Sequence, residues 1–328
     1  MIQPLVSICC ICYNQEEYIG DTLDGFVMQH TNFSFEIVIS DDCSSDQTRR
    51  IITEYKQQYP NLIHDISPQN NKGVFSNFLY TLQHTRGKYL AFCEGDDFWI
   101  DPYKLQKQVD FMESHPEVGL CYTDYNLCSE KQIVEEDIFH NNPSRIICTF
   151  EEQLINSAYI APMTWLFRRE LYMQIAPANS HTDGTFALSL DFFANSKVAY
   201  LPETTAVYRS HIGSATTQTD PKKHWKYEKG VFDTQVEYAE KYHCSNDVIN
   251  RIKIQGYADF MFPALEADDE DFVKEALEYY RLQGMEMKWF ADKCRRYIRY
   301  HQQYEMIRKS KAYKLGKMLI KPFKWLKR

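Results

Sequence analysis

Residues 5–12 run through Leu, Val, Ser, Ile, Cys, Cys, Ile and Cys without a charge, then break into Tyr13, Asn14, Gln15, Glu16 and Glu17. A short apolar run of this kind reads as a strand covered on both faces. Ile19, Leu23, Phe26 and Val27 follow at helical spacing, with Asn14 as a candidate cap. The pattern repeats, because residues 35–40 read as a second strand, and Ser44 with Gln47 has the form of a capping box opening a helix that carries Ile51, Ile52 and Tyr55. Residues 62–67 form a third candidate strand, and Phe75, Phe78, Leu79 and Leu82 mark a helix face that closes at Gly87. Residues 88–93 are a fourth strand, Leu105, Val109 and Met112 mark the next helix, and 118–123 read as a strand again. This alternation predicts an α/β fold built on a mostly parallel central sheet flanked by helices, whose ligands sit at the carboxyl ends of the strands.

The pattern becomes mixed over residues 151–211, with apolar segments at 160–167 and 198–208. Beyond 221 it is helical, with Phe272, Ala276, Leu277 and Tyr280 on one face. The expected organisation is a domain of residues 1–220, divided into halves 1–125 and 126–220, then a helical appendage over 221–307 and a tail over 308–328. That tail carries nine Lys or Arg and no acid, so the remaining chain sets 28 basic against 45 acidic residues. Tyr313, Leu315, Met318, Leu319, Ile320, Phe323 and Trp325 interleave with the charges. A basic amphipathic segment of this type suits an anionic membrane surface, and docking on the acidic body is the other reading.

The formal charge of −8 argues against general nucleic-acid binding, and no nucleic-acid motif is present. The chain has 10 cysteines, but Cys9, Cys10, Cys12, Cys93 and Cys121 lie inside apolar runs and read as small core residues of a reduced, cytoplasmic protein. The amino terminus enters the first strand without a basic segment and long apolar region, so no signal peptide is expected. No apolar run reaches the roughly 20 residues of a membrane span, which predicts a soluble or surface-attached protein.

The candidate chemistry lies in three loops that such a fold brings to one sheet edge. They are residues 13–17, then Asp41, Asp42, Cys43, Ser44, Ser45 and Asp46, then Glu94, Gly95, Asp96 and Asp97 after the fourth strand. Carboxylates at a strand end can hold a divalent cation against phosphate oxygens.

In order, Val6-Ser7-Ile8 through Tyr13-Asn14, Ser40-Asp41-Asp42-Cys43-Ser44-Ser45-Asp46, Asn71-Lys72-Gly73, and Gly87-Lys88-Tyr89-Leu90-Ala91-Phe92 leading to the acids form a specific set. Over about residues 4–214 the chain resembles the family 2 glycosyltransferases, inverting enzymes of the GT-A fold that use a nucleotide-diphospho-sugar and a divalent metal. The resemblance implies that Ile11, Tyr13 and Asp42 line the nucleotide base, where an aspartate accepts from the imide N–H of uracil. It adds Glu17, Asp41 and Asn71 to the donor-binding residues, Asp41 alternatively bracing its loop or capping the next helix. Asp96 matches the metal-binding acid of the Asp-x-Asp pattern, Glu94 stands where an aspartate is more usual, and Asp97 contacts the metal or the sugar. The implied cofactor is Mn²⁺ or Mg²⁺.

An inverting transfer needs a base for the acceptor hydroxyl. Where the family often has a Glu-Asp pair, this chain has Thr182-Asp183-Gly184, which makes Asp183 the candidate and Asp191 the alternative. His211 is a candidate for the metal site or the diphosphate, and Arg209 a candidate partner of the diphosphate. Trp165 is either an acceptor wall or a core residue. The expected partners are a UDP-sugar and a saccharide acceptor, with a lipid-linked acceptor suggested by the tail, and the expected location is cytoplasmic, peripheral at the membrane face. A nucleotide-sugar-binding module without catalysis is the rival reading. A nucleotidyltransferase fits poorly, since Tyr13-Asn14-Gln15 stands where those enzymes carry a Gly-rich loop with a basic residue.

Overall fold

The computed structural model describes residues 3–129, 132–175, 184–211 and 220–284. Strands β1 (Val6–Cys12), β2 (Phe35–Asp41), β3 (Ile63–Asp65) and β4 (Tyr89–Phe92) alternate with helices α1 (Ile19–Val27), α2 (Thr48–Gln58) and α3 (Val74–Gln83). After β5 (Phe98–Trp99) come α4 (Lys104–Ser114), β6 (Val118–Ser129), β7 (Gln132–Glu135), α5 (Phe150–Asn156), β8 (Leu166–Arg168), α6 (Arg169–Ile175), α7 (Gly184–Asn195) and β9 (Lys197–Ser210). Helices α8 (Pro221–Lys241), α9 (Asn246–Glu266) and α10 (Glu270–Leu282) follow.

The sheet order is β3-β2-β1-β4-β8-β6-β9-β5, with β7 paired to β6. Strands β1 to β4 pair in parallel, β1 sitting between β2 and β4 with every residue buried, as its uncharged sequence requires. Strand β8 joins β4 and β6 in antiparallel fashion, and the long parallel β6–β9 ladder carries the sheet into its second half. Parallel ladders account for most of the paired residues. The result is the α/β arrangement that the alternation predicts, and its parallel strands deliver three loops to one edge.

Two local signals act otherwise than the pattern suggests. Asn14 does not cap α1, whose first turn has no side-chain cap; its Oδ1 accepts from Ser45 N at 2.8 Å across 31 residues. The Ser44–Gln47 capping box does not form either, because Ser44 Oγ donates to Asp41 and Asp46 Oδ1 accepts from Thr48 N at 2.9 Å. Both side chains instead zip the loop after β1 to the loop after β2. Gly87 is not the stop of α3, which ends at Gln83; a Cβ there would lie 2.5 Å from Ser7 N, so the residue is needed for close approach to β1.

The chain divides into two compact units, Met1–Ile252 and Lys253–Arg328. Within the first, α8 begins at Pro221, where the sequence pattern turns helical, and Gln235 Nε2 fastens it to the carbonyl of Leu154 at 2.7 Å. Within the second, Asp269 caps α10 through Phe272 N at 3.1 Å, and Phe272, Ala276 and Tyr280 are buried, with Tyr280 donating to Ile254 O at 2.9 Å. No helix among the described residues is long and apolar enough to cross a membrane.

Candidate functional site

The end of β1 organises the edge. Cys12 O accepts from Asp42 N at 2.9 Å and Ile11 O accepts from Gly95 N at 2.9 Å, so the second loop and the acid loop flank one strand. A Cβ on Gly95 would lie 2.6 Å from Cys12 Cβ and 2.5 Å from Gln15 Oε1; a side chain there would push the acids away from the strand. Thr22 on α1 donates from its hydroxyl to the carbonyls of Gly95 at 3.0 Å and Asp97 at 2.7 Å, which pins the loop from the other side.

Glu94, Asp96 and Asp97 each present an oxygen, all within 4.8 Å of one another. Asp97 is buried, and burial together with the Asp96 and Glu94 charges pushes its pKa well above the usual carboxylate value, against a backbone N–H and a charge from Arg209. His211 Nε2 lies 2.9 Å from Asp96 Oδ2. This set fits Mg²⁺ or Mn²⁺: hard oxygen donors converge with one imidazole beside them, and a bound cation relieves the crowding of like charges. Burial and then the Asp96 charge also push the Cys10 thiol well up, and burial and the Asp97 charge do so for Cys93, so neither supplies a thiolate.

Strand pairing explains how His211 arrives there. Phe98 and Trp99 pair with Val207 and Ala206 of β9, and Arg209 N donates to Asp97 Oδ1 at 2.8 Å. The Arg209 guanidinium is only 4% exposed, enclosed between the rings of Phe98 at 4.6 Å and Tyr18 at 4.8 Å, with Nη2 on Asp21 at 2.8 Å. Arg209 thus lies within the wall of the site, and its charge reaches the acids through Asp97.

On the other flank, Asp42 Oδ1 accepts from Lys72 N at 2.7 Å and Oδ2 from Gly73 N at 2.9 Å, while Asn71 Nδ2 donates to Asp42 O at 2.9 Å. The carboxylate is held by two backbone donors. Ile11 is buried at the strand end, whereas Tyr13 is 49% exposed and Glu17 is exposed. Asp41 accepts from Ser44 N and Oγ and lies 3.6 Å from Arg49; it braces its loop rather than facing a ligand.

The expected bases fare differently. Asp191, the alternative, is buried in α7, where its carboxylate takes Tyr238 OH at 2.8 Å, Lys241 Nζ at 2.9 Å and Tyr242 OH at 3.0 Å. It is an anchor for α8, and this corrects its candidacy. Asp183 lies outside the described residues, as does the tail over 308–328. Trp165 is a core residue whose indole N–H donates to Ile160 O at 3.0 Å, and it also lines a cavity of about 60 Å³ with Tyr159 and Phe186. Tyr18, Asp21 and Thr22 were not legible as site residues, since in sequence they are only polar positions in the first turns of an amphipathic helix.

The sequence model described as "Glycosyl transferase family 2" matches residues 7–176. The chain belongs to glycosyl transferase family 2. Among its relatives, an uncharacterized protein of Mycobacterium tuberculosis is 39% identical over 223 residues, covering 67% of this chain and 64% of that protein. The matched segment thus spans just under two thirds of the mycobacterial relative. The putative teichuronic acid biosynthesis glycosyltransferase TuaG of Bacillus subtilis is 31% identical over 63% of this family 2 chain and 79% of its own. In fold, the family 2 chain is similar to S. aureus TarS 1-349, crystallised in complex with UDP-GlcNAc, at a TM-score of 0.56 and 17% identity, covering 85% of this chain and 92% of that one.

Proposed function

We propose that this protein is an inverting, metal-dependent glycosyltransferase that moves a sugar from a UDP-sugar to a hydroxyl of a saccharide acceptor during surface polysaccharide assembly. The observation that carries the reading is the meeting of His211 with Asp96 at 2.9 Å, across 115 residues of sequence, beside Glu94 and Asp97. A solvated acidic turn gives no reason for an imidazole to arrive from the end of a distant strand.

In this reading Asp96 and His211 would hold Mn²⁺ or Mg²⁺, with Asp97 contacting the metal or the sugar and Glu94 the ribose or sugar. The cation, when bound, stabilises charge on the departing diphosphate. Asp42, fixed by the N–H groups of Lys72 and Gly73, accepts from the imide N–H of uracil, and Ile11 and Tyr13 flank the base. Asn71 keeps the Asp42 backbone in place, and Glu17 is exposed on the loop after β1. The acceptor oxygen attacks the anomeric carbon, its proton passes to the Asp183 carboxylate, and the bond from that carbon to the diphosphate oxygen breaks with its electron pair leaving on UDP. Inversion follows from a single displacement.

The UDP-sugar assignment is supported by the UDP-GlcNAc bound in TarS, and the polysaccharide assignment by the name of TuaG. The basic tail supports a lipid-linked acceptor and attachment at the cytoplasmic membrane face. Calorimetry with a panel of UDP-, GDP- and dTDP-sugars and Mn²⁺ tests the donor site: one UDP-sugar is expected to bind with metal and to lose binding in Asp96→Ala. Absence of binding by every donor removes the reading. Deletion of residues 308–328 is expected to abolish binding to anionic vesicles, and unchanged binding removes the membrane part.

A further inference from the structure

His211, Tyr18, Arg209 and Phe98 form one continuous stack. The ring centroids of His211 and Tyr18 are 4.9 Å apart, and the Arg209 guanidinium carbon lies 4.8 Å from the Tyr18 ring centre and 4.6 Å from that of Phe98. Both outer layers are tied to the acids, His211 through its 2.9 Å contact with Asp96 and Phe98 by following Asp97 in the chain. Arg209 adds its backbone bond to Asp97. The Tyr18 layer comes from the segment entering α1, and Asp21, three residues on, takes Arg209 Nη2 at 2.8 Å.

The guanidinium depends on these neighbours. Among the described residues, Arg209 Nε and Nη1 are buried without a hydrogen-bond partner, so the two rings and Asp21 hold the group where it lies. The imidazole is positioned similarly, since a ring packed on Tyr18 loses rotamer freedom before any ligand arrives, and supporting side chains of this kind set how well a metal ligand is presented. We propose that Tyr18 and Asp21 are positioning residues that hold His211 and Arg209 against Asp96 and Asp97, and so set the affinity of the acidic edge for a divalent cation. The proposal rests on the metal-dependent reading of the site.

The test is Mn²⁺ binding to the full chain, read from the electron paramagnetic resonance signal of free Mn²⁺, with no nucleotide present. Tyr18→Leu is expected to weaken binding about tenfold, the low end for loss of a group supporting a metal ligand. Tyr18→Phe, which keeps the ring, is expected to stay within about twofold of the parent, and Asp21→Asn to weaken binding about threefold. Parent-like binding by Tyr18→Leu overturns the proposal while leaving the metal site standing. Equal weakening in Tyr18→Leu and Tyr18→Phe overturns it too, by assigning the effect to the hydroxyl. If Tyr18→Leu fails to fold, the exposed Asp21→Asn decides: parent-like affinity there overturns the proposal. No Mn²⁺ uptake by the parent removes the metal reading and the proposal with it.

Discussion

Two buried carboxylates sit at opposite ends of the same parallel strands. At the amino end, Glu36 of β2 accepts from Ser7 Oγ at 2.7 Å and from Arg86 N and Nε at 3.0 Å each, and its pair with the Arg86 terminal nitrogen measures 2.5 Å. Burial alone raises its pKa, and the donors of Arg86 and Ser7 reverse this, leaving it below the usual value. At the carboxyl end, Asp97 faces Asp96 and Glu94, and its pKa is pushed the other way. The same strands thus carry one acid matched by donors and another crowded by like charge. The first contributes to stability, and the second stores electrostatic repulsion that a cation or a ligand can relieve.

The sharpest way to break this comparison is Asp96→Ala. With the donor selected by calorimetry, initial rates are expected to fall on the order of 1000-fold, about 4 kcal/mol at the transition state, while the thermal midpoint stays or rises as repulsion is removed. A large drop in midpoint instead would place Asp96 with the structural acids. Glu36→Ala is the mirror experiment: urea unfolding is expected to show a loss of about 2 kcal/mol, from the charged hydrogen bonds of a carboxylate whose Arg86 partner is 46% exposed, with Mn²⁺ affinity unchanged.

A buried cation extends the contrast to the other sign. Lys104 is fully buried with Nζ on Gln108 Oε1 at 2.6 Å and over the Trp99 ring at 4.5 Å, and burial pushes its pKa down to about 8. An unfolded lysine titrates near 10.4, so between those values the unfolded chain binds more protons and stability rises with pH. The cost of burying the charge is present in full below pH 8 and is relieved as pH approaches 10.4. Lys104→Met does not titrate, so its stability relative to the parent is expected to fall by about 2 kcal/mol between pH 7 and pH 10 in urea melts. A flat difference would mean that the ammonium keeps its hydration. The smallest effect belongs to Asp191→Asn: about 1 kcal/mol of stability from the weakened Lys241 contact, with kcat within about twofold of the parent. A collapse of kcat at parental stability would return Asp191 to the list of bases.

The parallel strands were legible because β1, β2 and β4 are covered on both faces, which leaves continuous apolar runs in the sequence. Strand β5 has two residues and no run to read, and it exists because β9 pairs with it. Asn14 and Ser44 look like caps because cap preference is local, whereas their partners lie 31 and 30 residues away in chain order. At the site, the acids after β4 were legible as a cluster, and His211 entered through the family pattern. The stack of Tyr18, Arg209 and Phe98 was not, since a cation–π contact joining α1 to the end of β9 leaves no spacing in sequence. The burial of Arg209 between rings is likewise a property of tertiary packing alone.

The 115-residue separation of Asp96 and His211 also sets an order of events during synthesis. On a translating ribosome, β1 to β4 and the acid loop emerge and can pair while β9 is still uncoded peptide to come. The nascent chain then carries the Asp42 loop, held by the N–H groups of Lys72 and Gly73, and an acidic edge that lacks its imidazole. The acidic edge meets His211 only after β9 has left the exit tunnel and joined β6, so the cluster of three acids is laid down first and its imidazole last.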